Sequence, residues 1–156
     1  MRVYFASPFF NDEQVERERR LVNLLRKQHF TVYAPSESCV LKPDATQEER
    51  DKVFRDNIKN MVDADIIFVV TDGKDIGTIW EAGFFYGQLN AIRNYASERF
   101  QKAKYIAYYC ETLGDRPFNV MLAKSADFVF TKQEEVENFA AMILNGVKQN
   151  YAGKIQ

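Results

Sequence analysis

Short apolar runs alternate with helical patterns along this 156-residue chain. Five strands are predicted from short apolar runs, which lie at residues 3–6, 30–34, 65–71, 105–109 and 127–130. The longer stretches between these runs include helical patterns at 11–28 and 78–94. Parallel strands need long crossover connections, and helices supply them. The alternation therefore predicts an α/β fold: a doubly wound five-stranded parallel sheet in flavodoxin-like (Rossmann-like) order, with helices on both faces.

Two Thr-x-x-Glu patterns predict where further helices begin. Those at 46–49 and 131–134 are typical of capping boxes, in which the Thr and the Glu satisfy each other's backbone N–H groups. The first would open a helix that ends near Asp63, and the second a C-terminal helix. Residues 36–45 are predicted to form a loop.

The composition indicates one globular domain over residues 1–156. Hydrophobic residues make up 46% of the chain, and the formal net charge is −1. Its 21 basic and 22 acidic residues are interspersed, which argues against a nucleic-acid partner. Neither a signal-peptide pattern nor a membrane-length apolar run is present, so we expect no membrane partner and a cytoplasmic location.

The metal, redox and phosphate-binding motifs of common enzymes are missing from the sequence. Cys39 and Cys110 lack metal-type spacing and are expected to be reduced thiols, while His29 is predicted to face solvent in a turn. Neither the Rossmann glycine pattern nor the P-loop occurs. We therefore expect no metal and no cofactor.

The segment Asp75-Ile-Gly-Thr-Ile-Trp-Glu81-Ala-Gly83 places two carboxylates at a predicted junction between a strand and a helix. With the helix starting near Thr78, Glu81 falls in the first turn, where free N–H groups and the helix dipole favour an ionised carboxylate. That state suits a nucleophile. The same spacing also fits a capping box, in which Glu81 would only bond the backbone of Thr78.

The loops at the carboxyl ends of parallel strands are where ligands bind in such sheets. They are residues 7–10, 72–76 and 110–119, and Asn119 lies in the last of them. The carboxylates of Asp75 and Glu81, the amide of Asn119 and the hydroxyl of Tyr4 could together catalyse transfer at the anomeric carbon of a sugar. Flat walls for a nucleobase leaving group could come from Phe9, Phe10 and Trp80, although for any one of them we favour an ordinary role in the core or in a hydrophobic staple.

The helix after the third strand is apolar around most of its circumference. Its large side chains are Ile79, Trp80, Phe84, Phe85, Tyr86, Leu89 and Ile92. One sheet face cannot cover all of them. Either other helices cover the remainder or a second subunit does, and in a chain of this size we favour the subunit.

Four segments of the chain resemble the nucleoside 2-deoxyribosyltransferase family. They are Val3-Tyr-Phe-Ala-Ser-Pro-Phe-Phe10, Asp56-Asn-Ile-Lys-Asn-Met-Val-Asp-Ala-Asp65, Asp75-Ile-Gly-Thr-Ile-Trp-Glu-Ala-Gly83 and Pro117-Phe-Asn-Val-Met121. The third, D-x-G-[TS]-x-x-E-x-G, is the most specific. The resemblance implies a metal-free transferase that exchanges 2-deoxyribose between nucleobases.

The resemblance also implies roles for individual residues. Glu81 would form a covalent deoxyribosyl ester, Tyr4 would orient its carboxylate, and Asp75 would hold the sugar hydroxyl or the base. The expected substrate contacts are Ser7, Phe9, Phe10, Asn57, Gly77, Trp80, Asn119 and Met121. In the family's oligomers the residues matching Asn119 and Met121 act across subunits, so a homo-oligomer (dimer, tetramer or hexamer) with shared active sites is expected.

One position departs from the family pattern. The family commonly has an Asp that assists protonation of the base where this chain has Asn57, and an amide cannot deliver a proton. Asp75 could act as the acid, Asp56 could reach the site, or the base could need little help. We favour Asp75; alternatively, Asn57 only hydrogen-bonds the base.

Two other functions compete with transfer. One is hydrolysis of 2′-deoxynucleoside 5′-monophosphates, but Ser7-Pro-Phe-Phe10 offers no cation for a phosphate. The other is a non-catalytic nucleotide-binding module, in which Glu81 is only a cap and the apolar helix is an interface.

Overall fold

The structure, a computed structural model, describes residues 1–38, 40–96 and 103–156, so the prediction for Cys39 falls outside the described residues. The strands are β1 (Arg2–Ala6), β2 (Thr31–Tyr33), β3 (Ile66–Val70), β4 (Tyr105–Tyr109) and β5 (Phe128–Phe130). The helices are α1 (Asp12–Lys27), α2 (Pro35–Ser38), α3 (Gln47–Asp63), α4 (Ile76–Tyr95), α5 (Val120–Ser125), α6 (Gln133–Val136) and α7 (Phe139–Leu144).

All five strands are parallel and lie in the order β2-β1-β3-β4-β5. This confirms the predicted flavodoxin-like α/β fold. The central strand β3 is buried along its whole length, since its apolar run Ile-Ile-Phe-Val-Val has helices on both faces of the sheet. No helix in the described ranges is both long and apolar enough to cross a bilayer.

Alternation of side chains along β1 decides which core each residue joins. Phe5 joins the cluster on the face covered by α1 and α7, with Phe68 and Phe139. Tyr4 points to the opposite face, which α3 and α4 cover, and there it joins Phe85. The strand pattern therefore directs the Tyr4 hydroxyl toward α4.

Two predicted helix starts are confirmed at their caps. The Asn11 side chain accepts a hydrogen bond from the Gln14 backbone N–H at 3.0 Å, and helix α1 follows. At α3, Thr46 and Glu49 form both bonds of the predicted capping box. His29 is exposed in the turn after α1, as expected, and Cys110 is a buried free thiol.

Three predictions about local structure were wrong. The predicted loop at 36–45 overlaps a short helix, α2, because Pro35 is tolerated in a first helical turn. At the last capping box Glu135, rather than Glu134, accepts the backbone N–H groups of Thr131 (2.6 Å) and Lys132 (3.2 Å). The expected single C-terminal helix is also divided into α6 and α7.

The capping box of α3 predicts a measurable loss of stability. Thr46→Ala removes the acceptor for the Glu49 N–H and should lower the free energy of unfolding by about 1 kcal/mol. Urea unfolding measures this difference. Thr46→Ser keeps the hydroxyl and should stay near the wild type, and equal losses in both variants would contradict the assignment.

Candidate active site

Tyr4 and Glu81 are 77 positions apart in sequence and form the closest polar contact of the site. The Tyr4 Oη donates a hydrogen bond to Glu81 Oε1 at 2.6 Å. Tyr4 is fully buried on β1, and Glu81 projects from α4, which follows the neighbouring strand β3. The parallel pairing of β1 with β3 therefore brings this hydroxyl to this carboxyl group.

Asp75 caps α4, so the predicted start at Thr78 was wrong. The Asp75 Oδ2 accepts hydrogen bonds from the backbone N–H of Thr78 at 2.7 Å and from its hydroxyl at 2.9 Å. An Asp is among the best N-caps, and the helix accordingly begins at Ile76. Glu81 then lies in the second turn, and its partner is Tyr4 instead of the backbone of Thr78.

The expected ionised state of Glu81 is also corrected. Burial raises the pKa of Glu81 to about 7, the Tyr4 hydrogen bond acts to lower it, and the negative charge of Asp75 raises it further. In the second turn the carboxyl group has passed the free N–H groups that would have favoured its charge. Near neutral pH it therefore exists in both protonated and ionised forms.

A cavity of about 190 Å³ lies between α3 and α4 beside Glu81. Its walls are mostly apolar and carry two polar side chains, an arrangement typical of small-molecule sites. The lining residues are Phe54, Asn57, Ile58, Met61, Gly77, Trp80 and Glu81. Four of the residues expected at the site, Asn57, Gly77, Trp80 and Glu81, are thus brought together here.

Sequence reasoning predicted Asn57 but missed the apolar wall that α3 also contributes to this cavity. Phe54, Ile58 and Met61 recur at helical spacing, which indicated a buried helix face and gave no sign of a ligand. Tyr33 was also missed. Its hydroxyl donates to Asn57 Oδ1 at 3.0 Å, and its ring lies 5.6 Å from that of Tyr4.

The loop after β1 lies outside the lining of this cavity in the described residues. Ser7 donates its hydroxyl hydrogen to Glu18 Oε2 at 2.7 Å. The rings of Phe9 and Phe10 stack at 5.7 Å, and Phe10 is exposed. Direct contact of these three residues with a substrate remains a prediction.

The segment after β4 is likewise separate from the cavity lining. Asn119 caps α5 by accepting the Met121 backbone N–H at 2.9 Å, and Met121 is 73% exposed. Trp80 and Phe54 are also more than half exposed although they line the cavity. Their exposure fits the expected subunit contact, which stays a prediction.

Comparison with known proteins settles the family. The family model for nucleoside 2-deoxyribosyltransferase matches residues 3–139. The chain belongs to this family. No curated protein sequence matches it.

Among solved structures, the chain is similar to the 2-deoxyribosyltransferase of Bacillus psychrosaccharolyticus. The two are 27% identical, with a TM-score of 0.75, and the match covers 97% of this chain and 99% of the other. Membership of the family, together with this neighbour, supports an enzyme of the deoxyribosyltransferase and N-glycosidase type, with nucleosides and nucleobases as substrates.

Two more distant structures share the fold alone. A conserved protein of Enterococcus faecalis V583 is 14% identical, with a TM-score of 0.57, and the match covers 100% of this chain and 90% of the other. A CMP N-glycosidase of Clostridium botulinum is also 14% identical, with a TM-score of 0.51, over 94% of this chain and 100% of that one.

The raised pKa of Glu81 predicts a stability difference that depends on pH. A carboxyl group whose pKa is raised in the folded state stabilises the fold below its unfolded pKa, and that stability is lost as the pH rises through about 7. Glu81→Gln cannot ionise. The free energy of unfolding of Glu81→Gln, relative to that of the wild type, should therefore rise by about 2 kcal/mol between pH 5 and pH 8.5.

Urea unfolding of both proteins at the two pH values measures this change. Glu48→Gln replaces an exposed carboxylate on α3 and serves as the matched control, with no such gain expected. A constant difference between Glu81→Gln and the wild type at both pH values would contradict the raised pKa.

Proposed function

We propose that this enzyme transfers 2-deoxyribose from a deoxynucleoside to a free nucleobase through a covalent ester on Glu81, with retention at C1′. The 2.6 Å contact between Tyr4 Oη and Glu81 Oε1, at the edge of an apolar cavity, carries the proposal. A carboxylate that must attack carbon needs to be held in one orientation, and the Tyr4 hydrogen bond provides this. Such an exchange would serve nucleotide salvage.

The reaction runs in two displacements. In the first, a Glu81 oxygen bonds to C1′ while the C1′–N bond breaks, through an oxocarbenium-like transition state. In the second, the acceptor base attacks C1′ from the side that the first base left and releases Glu81. Two inversions give net retention, and ping-pong kinetics follow from the covalent intermediate.

Asp75 and the second subunit complete the proposed site. The cap uses Asp75 Oδ2, so we assign the sugar hydroxyl to Oδ1 of the same carboxylate. Asn119 of one subunit would approach the 5′-hydroxyl bound in the next, and Met121 would lie in the contact between them. The exposed apolar side chains of Phe54, Trp80 and Met121 support this homo-oligomer.

An exchange assay with one deoxynucleoside donor and each free base tests the function. Glu81→Ala should lower the exchange rate by at least about a thousandfold, because it removes the nucleophile. A 2′-fluoro-2′-deoxynucleoside should leave a sugar adduct on Glu81 that mass spectrometry detects. Glu48→Gln is the matched control, and full exchange by Glu81→Ala would end the proposal.

The same assay separates the competing functions. A deoxynucleoside 5′-monophosphate glycosidase would release free base from the monophosphate without any acceptor, while a binding module would bind nucleosides and turn over neither donor. The loop Ser7–Phe10 contains no Lys or Arg for a phosphate, which favours the unphosphorylated donor.

Tyr4→Phe predicts a shift of the pH profile. The variant loses the hydrogen bond that lowers the Glu81 pKa, so that pKa should rise above about 7. The acidic limb of kcat/KM reports this group in the free enzyme, and kcat/KM at pH 6 should fall about tenfold relative to the wild type. Activity should recover as the pH rises.

The pH profile from 5 to 9 provides this measurement. Tyr95→Phe, on the exposed end of α4, is the matched control and should leave the profile unchanged. A Tyr4→Phe profile with an unshifted acidic limb would show that the hydroxyl does not act on Glu81.

A further inference from the structure

The cavity beside Glu81 lacks a second acid in the described part of the chain. Of its lining side chains only Glu81 carries a carboxyl group, and the other polar group is the amide of Asn57. The proposed transfer requires Glu81 to be ionised when it attacks C1′, so it holds no proton for the leaving base at that moment. This inference rests on the proposed function and concerns the fate of that base.

The two other carboxylates considered as acids are each engaged by other groups. Asp75 accepts two hydrogen bonds from Thr78 as the cap of α4. Asp56 neighbours Asn57 in sequence, but its Oδ2 pairs with Lys52 Nζ at 2.6 Å along the outer side of α3. Neither belongs to the lining of the cavity as the structure describes it.

The orientation of the Asn57 amide follows from Tyr33. The Tyr33 hydroxyl donates to Asn57 Oδ1 at 3.0 Å, which leaves the Nδ2 hydrogens for a ligand. An amide N–H can donate a hydrogen bond to a ring nitrogen or carbonyl oxygen of a base. It does not transfer its proton at neutral pH, so it stabilises negative charge without neutralising it.

We propose that the nucleobase leaves as an anion hydrogen-bonded to the Asn57 amide, and that the enzyme therefore selects deoxynucleosides whose free bases have an acidic ring N–H. An electron pair from Glu81 forms the O–C1′ bond, and the pair of the broken C1′–N bond stays on the base nitrogen. The anion takes its proton from water. The protonation leaves hydroxide, and by microscopic reversibility the acceptor base loses its ring proton to hydroxide and attacks as an anion.

Base release in a single turnover tests this selection. The donors are two series that differ in one substituent, 5-fluoro, unsubstituted and 5-methyl 2′-deoxyuridine, and 6-chloro, unsubstituted and 6-methoxy purine 2′-deoxynucleosides. With enzyme in excess, the rate should fall about tenfold for each unit of increase in the pKa of the free base. Of the two series, the slope is measured on the one whose bases the wild-type enzyme exchanges.

Asn57→Asp supplies an acid at the same position. The rate of base release should then fall only about threefold for each unit of increase in the pKa of the free base, and the largest gain in rate should be seen with the least acidic base. Asn90→Asp makes the same change on the exposed side of α4, where Asn90 accepts a bond from Asn94, and should keep the wild-type slope.

The outcomes separate this inference from the proposed function. If the wild type exchanges bases but its rate of base release does not change with the pKa of the free base, departure as an anion is overturned while deoxyribosyl transfer stands. Absence of exchange with every donor would contradict the proposed function itself. The wild-type slope decides the inference even where Asn57→Asp fails to fold.

Discussion

The hydrogen bond from Tyr4 to Glu81 joins the sheet to the helix on which the proposed chemistry depends. Tyr4 is fixed because β1 is an interior strand whose residues alternate between two cores. Glu81 is fixed because α4 follows directly from β3 and packs over β1 and β3. The contact therefore needs the parallel pairing of these strands, and it gives a partly buried carboxyl group one defined orientation.

The same burial that forms the cavity makes the carboxyl group hard to ionise. Removing Glu81 from water raises its pKa to about 7, and the hydroxyl of Tyr4 opposes that effect. The site consequently holds a carboxylate that is less stabilised than one in water, which increases its readiness to share electrons with carbon. The amide of Asn57, oriented by the hydroxyl of Tyr33, can donate a hydrogen bond but does not transfer its proton.

Much of the architecture could be predicted because apolar runs and helical patterns are local properties of the sequence. The strand Tyr105–Tyr109 was predicted to the residue, and the capping box at Thr46 formed as expected. The start of α4 was missed because Asp75 and Thr78 both satisfy local capping rules, and competition between two good caps is decided by the path of the chain out of β3. Thr78 donates to the cap and is itself buried.

The candidate site was predictable only where a motif carried it. The spacing of Asp75 and Glu81 predicted a paired-carboxylate site, and resemblance to a family added Asn57 and the orienting role of Tyr4. Nothing local indicated Tyr33 or the wall formed by Phe54 and Met61, because a residue that lines a cavity and one that fills a core share the same helical spacing.

The sequence by itself determined the order of strands and helices, the residues available for chemistry and the family of the enzyme. Those depend on residue type and on spacing along the chain. Only the tertiary structure decided that Glu81 contacts Tyr4 instead of its own helix cap, and that its pKa is raised. The reason is physical: burial and contacts between residues 77 positions apart exist only once the sheet and its helices have packed together.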